Sequence, residues 1–348
     1  MSLAHERVPG PAAFQRRGRI RPGDALLYVV TLAAALSGVV LLALITREVL
    51  VEAWPAMQKF GLGFLTTQAW GDHNKTLFGA KSFIYGTAVT SFGALLLATP
   101  ISLAIALFLS ELAPRWIRRI VAPLVELLAA IPSVVLGLWG ILVLGPFITG
   151  TLGPALHGSF GWLPIFASKP TVGSNMFAAI LILTIMIVPI VSSICRELFV
   201  GVPQELKDGA LALGATRWEV VRGVVFPYAR AGIAAALILG LGRAVGEAIA
   251  VTQVIGNNVA IHTDLFKPGD TLASRIAGQY QGADTALQVA SLVYLAVILL
   301  VFSLIANLAA QLIVRRVAGR TSCSFSPTTS HATSCGSCLM SRRWRRAV

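Results

Sequence analysis

Six stretches of this 348-residue sequence stay apolar for longer than a soluble fold can use. They run at about 25–46, 84–112, 118–148, 176–195, 230–254 and 287–314. A helix rises about 1.5 Å per residue, so roughly 20 apolar residues cross a hydrocarbon core about 30 Å thick. No water reaches the backbone inside lipid, so each stretch has to satisfy its own N–H and C=O groups as a helix. The implied fold class is all-α, a polytopic membrane protein with six transmembrane helices. Charged residues are 12% of the chain against roughly 25% in soluble domains, too few to solvate a globular surface. The lipid bilayer is therefore the first partner.

The distribution of basic residues sets the orientation. Five Lys and Arg precede residue 22, three lie in 113–119, five in 196–230 and seven after residue 314. The alternate loops (47–82, 149–175 and 255–286) hold seven over three longer segments. Basic loops stay cytoplasmic, which predicts both termini inside and an uncleaved first span in a bacterial inner membrane. A signal peptide is the rival reading of that span, but its apolar run is too long and no small-residue cleavage site follows. The net charge of +13 accordingly points to topology and not to nucleic acid. Three regions result: a polar segment 1–24, a transmembrane domain 25–318, and a Ser/Thr-rich basic segment 319–348 that reads as a disordered tail. Cys335 and Cys338 in that tail lack the second ligand pair of a metal site.

Inside the spans, proline and glycine mark helices that lipid alone does not suit. The second span contains Pro100, and the third contains Pro123, Pro132, Gly137, Gly140 and Gly145. These fit either the walls of a pathway or kinked packing helices. The fifth span carries Arg243, roughly 20 Å past Arg230 and so near the midplane, with Glu247 about one helical turn further. A charge there costs on the order of 3 kcal/mol or more. A guanidinium fork matches tetrahedral oxyanions, so the pair reads as an anion or gating element, with structural glue to neighbouring helices as the alternative. Gly240, Gly242 and Gly246 keep its surroundings open. Glu126, about 10 Å from the inner surface, is either a partner for Arg243 or an interfacial carboxylate.

The cytoplasmic loop 196–229 is more than a connection. Pro203 suits a first helical position, a short helix runs to Leu213, and Gly214 provides a left-handed stop. Thr216 and Glu219 have capping-box spacing and start a second helix, which meets Pro227 about three turns later. Helix, tight turn and helix on the cytoplasmic side make a docking surface.

The loop resembles the signature of importer-type ABC permeases, Glu-Ala-Ala, three residues, Gly, nine residues, Ile-x-Leu-Pro. Here it reads Asp208-Gly209-Ala210, three residues, Gly214, nine residues, then Val224-Val225-Phe226-Pro227. The resemblance implies an element that fits a cleft on a separate ATPase and transmits its closure. Three further blocks look like the PstC-type permease of phosphate importers, over about residues 22–318. They are Phe83–Thr87, Glu126–Val135 with Gly137-Leu138-Trp139-Gly140, and Gly242–Glu247. That resemblance implies a second homologous permease, an ATP-binding subunit dimer that carries ATP-Mg, and a periplasmic phosphate-binding protein. It also associates the arginine and glutamate of the last block, here Arg243 and Glu247, with transport.

No cofactor, metal site or catalytic group is expected on this chain. Gly79-Ala80-Lys81-Ser82 lacks the glycine before lysine that a phosphate-wrapping Walker loop needs. The reading is therefore a transport subunit and not itself an enzyme. Its alternatives are a permease for another oxyanion such as sulfate or molybdate, and an ATP-independent channel or secondary transporter.

Overall fold

A computed structural model describes residues 22–71 and 77–318. The polar leader, the tail and its cysteines lie outside the described residues. Ten helices organise the described chain: α1 (Pro22–Phe60), α2 (Lys81–Leu107), α3 (Arg115–Ala129), α4 (Ser133–Phe160), α5 (Met176–Val200), α6 (Gln204–Ala212), α7 (Arg217–Gly246), α8 (Ile249–Val254), α9 (Leu272–Gln279) and α10 (Ala286–Ala318). A single helical turn, Gly63–Thr66, follows α1. No strand occurs among the described residues, only an isolated bridge between Trp70 and Phe78. Among the described residues six helices are long and apolar enough to cross a membrane: α1, α2, α4, α5, α7 and α10.

The third span differs from its expected bounds of 118–148. The chain leaves the helix at Ala130–Pro132, which separates α3 from α4. Pro132 has no N–H to donate and its ring collides with the carbonyl four residues back, so the helix stops and restarts at Ser133. What remains as α3 is too short to cross. One of its faces exposes Trp116, Ile120, Leu124 and Leu127, which recur at helical spacing. The crossing itself is made by α4.

Some other prolines are absorbed within a continuous helical run. Among the described residues three π-turns interrupt helical runs, at Gly140–Leu144, Ile148–Leu152 and Val221–Val225, and a fourth, Phe108–Leu112, closes the helix that begins as α2. Each ends two residues before a proline: Pro114, Pro146, Pro154 and Pro227. A π-turn widens the ring of backbone hydrogen bonds, which takes the carbonyl out of the path of the proline ring.

The chain divides into two compact units. One comprises residues up to Leu96, Ala130–Met186 and Arg243–Ser303; the other comprises Leu97–Ala129, Ile187–Gly242 and the residues from Leu304 on. The first is built on Phe64, Phe78, Phe83, Leu272, Leu292 and Leu295, all fully or almost fully buried. Phe64 stacks on Tyr294 with ring centroids 4.6 Å apart. Close approach uses glycine: a Cβ at Gly140 would sit 2.7 Å from Val254 Cγ1. Trp70 donates to Gln279 Oε1 at 2.7 Å and meets Phe78 and Phe83 edge-on. In the second unit Phe199 packs edge-on against Phe226, and Gly232 lies against Leu198. α1 buries only Ala53 and Ala56 among its described side chains. From Leu26 to Ile45 its exposed surface is almost wholly apolar, as suits lipid or another membrane protein.

Candidate functional site

The fifth span is discontinuous at its charged pair. α7 ends at Gly246, Glu247 and Ala248 are not helical, and α8 resumes at Ile249. The sequence placed Arg243 and Glu247 on one continuous helical face; the break lies between that face and α8. Glu247 supports the break itself, since its Oε1 accepts from the Ala250 N–H at 3.3 Å. That bond satisfies one of the donors a new helix leaves without a partner. Its Oε2 lies 3.8 Å from Arg243 Nη2, a loose ion pair longer than a hydrogen bond.

The two ends of the pair have different surroundings. The Glu247 side chain is 9% exposed and the Arg243 side chain 39%. Gly246, beside them, has nothing within 4 Å of where a Cβ would stand, and Gly242 has only Asn307 near that limit. The guanidinium thus keeps open space and donor capacity that a single carboxylate does not use up. Broken helices at membrane depth are tolerated where they line a cavity or are enclosed by protein. Glu126, the third charge, is half-exposed on α3 and binds Arg196 Nη2 on α5 at 2.7 Å.

The cytoplasmic loop folds as helix, turn and helix. Pro203 stands just before α6 in extended geometry, with φ −53° and ψ 131°, one position earlier than expected. Gly214 takes a left-handed φ of +86°, and the carbonyls of Leu211 and Ala210 accept from the Gly214 and Ala215 N–H groups. Thr216 then caps α7: its Oγ1 accepts from the Glu219 N–H at 3.3 Å, and Glu219 Oε2 accepts from the Thr216 N–H at 2.7 Å. Asp208 and Gly209 are exposed, and Gln204 Nε2 donates to Asp208 Oδ1 at 3.1 Å. Ala210 is half-buried. Pro227 lies just past the π-turn Val221–Val225. Leu213, at the tip, is 91% exposed, an apolar side chain offered to solvent.

Two groups escaped the sequence reading. Lys207, next to Asp208, is buried and pairs with Glu111 at 2.5 Å. Asp270 and Arg275, outside the spans, form a second buried pair at 2.6 Å. A lysine on an otherwise polar loop helix carries no mark of burial. The five-residue spacing of Asp270 and Arg275 is likewise ordinary.

Comparison with known proteins matches this architecture. The family described as "Binding-protein-dependent transport system inner membrane component" matches residues 98–319, and six crossing helices make this chain a multi-pass inner-membrane transport component. The "Phosphate transport system permease protein PstC" of Mesorhizobium japonicum is 43% identical over 279 residues, covering 79% of this chain and 85% of the relative. The protein of the same description from Haemophilus influenzae is 40% identical over 278 residues, covering 79% and 88%. This chain belongs to the PstC family of phosphate transport system permeases. A crystal structure of a bacterial alginate ABC transporter in complex with an alginate pentasaccharide-bound periplasmic protein shares the fold, with a TM-score of 0.56 at 20% identity over 85% of this chain and 96% of that one.

Proposed function

We propose that this chain forms one half of the membrane passage through which an ATP-driven importer brings inorganic phosphate into the cell. The observation that carries the mechanism is the helix break at Glu247. There the charged pair Arg243–Glu247 stands in a membrane helix with open space at Gly246. A phosphate dianion offers Arg243 two oxygens in the geometry its fork prefers, which one loosely held carboxylate does not supply. Glu247 holds the guanidinium between passages and yields it to the anion. Glu126, tied to Arg196, contributes at most to the field near the cytoplasmic side.

Energy comes from outside the chain. In the Gly79–Ser82 segment the Ala80 and Lys81 N–H groups donate to the carbonyls of Phe64 and Thr67, which supports a packing role for it. On this reading ATP-Mg belongs to a separate ATPase dimer, which docks on α6 and the Gly214 turn. A second, homologous permease completes the passage, and a periplasmic phosphate-binding protein delivers the anion. Closure of the ATPase and docking of the binding protein would alternate access to the two sides without covalent chemistry on this chain.

The test is labelled-phosphate uptake in cells that lack their own high-affinity importer. This chain is co-expressed with its permease, ATPase and binding-protein partners. ATP-dependent uptake that ignores excess sulfate and collapses in Arg243→Ala at normal membrane levels supports the reading. No phosphate uptake from an assembled complex returns the choice to other oxyanions. Uptake that survives alteration of the Gly214-Ala215-Thr216 turn would instead favour an ATP-independent channel.

A further inference from the structure

Lys207 is the one buried residue of α6. Its neighbours Leu206 and Asp208 face outward, while its own side chain is 9% exposed. Enclosing an ammonium is costly unless partners compensate it. This one has two. Nζ donates to Glu111 Oε1 at 2.5 Å and to the Phe199 carbonyl at 3.2 Å. Glu111 lies in the π-turn that ends α2, and Phe199 in the last turn of α5. Final carbonyls of a helix have no partner within it, and a cation there also complements the helix dipole. One side chain therefore ties the loop helix to the ends of two membrane helices.

The other residues of α6 are exposed or half-buried. A groove of about 450 Å³ runs beside it, lined by Gln204, Leu211, Glu111 and Leu112 among others. Gln204 and Leu211 flank Lys207 at helical spacing, and the enclosed pair itself borders the groove on that side. Force applied to α6 has a direct route through Lys207. The π-turn receiving it is a widened, deformable stretch of helix of the kind found at functional sites.

We propose that Lys207 is a positioning residue of energy coupling: it clamps the docking helix to α2 through Glu111 and to α5 through Phe199. The proposal rests on the reading of α6 as the ATPase-docking element. Movement of α6 on ATPase closure then displaces both membrane helices together. Without the clamp, ATP is hydrolysed but the two spans respond weakly.

Proteoliposomes holding the complete complex test this, with ATP hydrolysis and labelled-phosphate uptake measured in the same vesicles. Lys207→Gln and Glu111→Gln are expected to lower phosphate imported per ATP hydrolysed about tenfold while the ATPase still co-purifies. Lys207→Arg should stay near wild type. The reversed pair, Lys207→Glu with Glu111→Lys, should recover most of the coupling. An unchanged ratio in both glutamine variants overturns the clamp, as does a reversed pair that assembles normally but remains uncoupled. Co-purification separates failure of the underlying reading: retention of the ATPase by Leu213→Asp, at the exposed tip of the loop, argues against docking there whatever Lys207 does.

Discussion

The Arg275 guanidinium lies 2.6 Å from the Asp270 carboxylate, with both side chains enclosed by protein. Arg275 also stands over the Phe83 ring at 4.9 Å and the Trp70 ring at 5.9 Å. Its Nη2 donates to the Asn257 carbonyl at 3.3 Å. The pair thus joins the segment after α8 to the aromatic core beside α2. Burial pushes the Asp270 carboxyl up and the Arg275 guanidinium down, more strongly than each charge supports the other. Such a pair serves position more than stability. Asp270→Ala alone strands a buried cation and should cost about 3–5 kcal/mol, read as a lower unfolding midpoint of the detergent-purified protein. Asp270→Ala with Arg275→Met should recover most of that loss. A double variant as unstable as the single would show the pair to be a net stabiliser.

Gly86 makes the same joint possible. A Cβ there would stand 1.9 Å from the Asp270 carbonyl oxygen and 2.9 Å from its carbon, both backbone atoms that cannot swing away. Gly86→Ala should therefore separate the segment around Asp270 from α2. Overpacking of this kind typically costs about 1–3 kcal/mol, and a clash this close lies at or beyond the upper end. The expected readout is a lower membrane level and faster proteolysis of the 256–271 segment. Wild-type protease resistance would contradict the close approach.

Local chemistry was legible in the sequence and burial was not. The capping box at Thr216 and Glu219 and the left-handed Gly214 depend on neighbours within four residues, and the structure forms both. The six spans were legible because lipid demands long apolar helices. Proline was harder to read. Helices end at Pro114 and Pro132, whereas Pro146, Pro154 and Pro227 lie in continuous helical runs just after a π-turn, and no local rule tells these outcomes apart. The family signature falls on Asp208, which is exposed and bonded locally to Gln204. The residue that anchors the helix is its neighbour Lys207, whose partner Glu111 lies 96 positions away.

Two glycines of the loop should respond oppositely to alanine. Gly209 lies within α6 at negative φ with nothing near its Cβ position, so Gly209→Ala should stabilise that helix by about 1 kcal/mol. Gly214 is at φ +86°, where a side chain meets the following carbonyl, so Gly214→Ala should cost about 1–2 kcal/mol locally. Hydrogen exchange of the α6 amides is the measurement: slower in the first variant and faster in the second. The same direction of change in both would mean that the loop conformation is set from elsewhere.

Glu247 performs two tasks that one pair of substitutions can separate. Its Oε1 accepts from the Ala250 N–H, which supports the start of α8, and its Oε2 faces Arg243. Glu247→Gln keeps a carbonyl oxygen for the Ala250 bond but removes the charge that restrains the guanidinium. Glu247→Ala removes both. If the cap matters to the fold, the glutamine variant should match wild type in unfolding midpoint, and the alanine variant should lose about 1 kcal/mol, the usual worth of a helix cap. If the charge matters to transport, both variants should fall about tenfold in uptake at equal membrane level. That fall corresponds to about 1.4 kcal/mol of barrier. Uptake lost only in the alanine variant would assign Glu247 to the helix break alone and leave Arg243 without a charged partner in the transport step. Uptake retained in both, with Arg243→Ala inactive, would mean that the arginine needs no carboxylate to hold it ready.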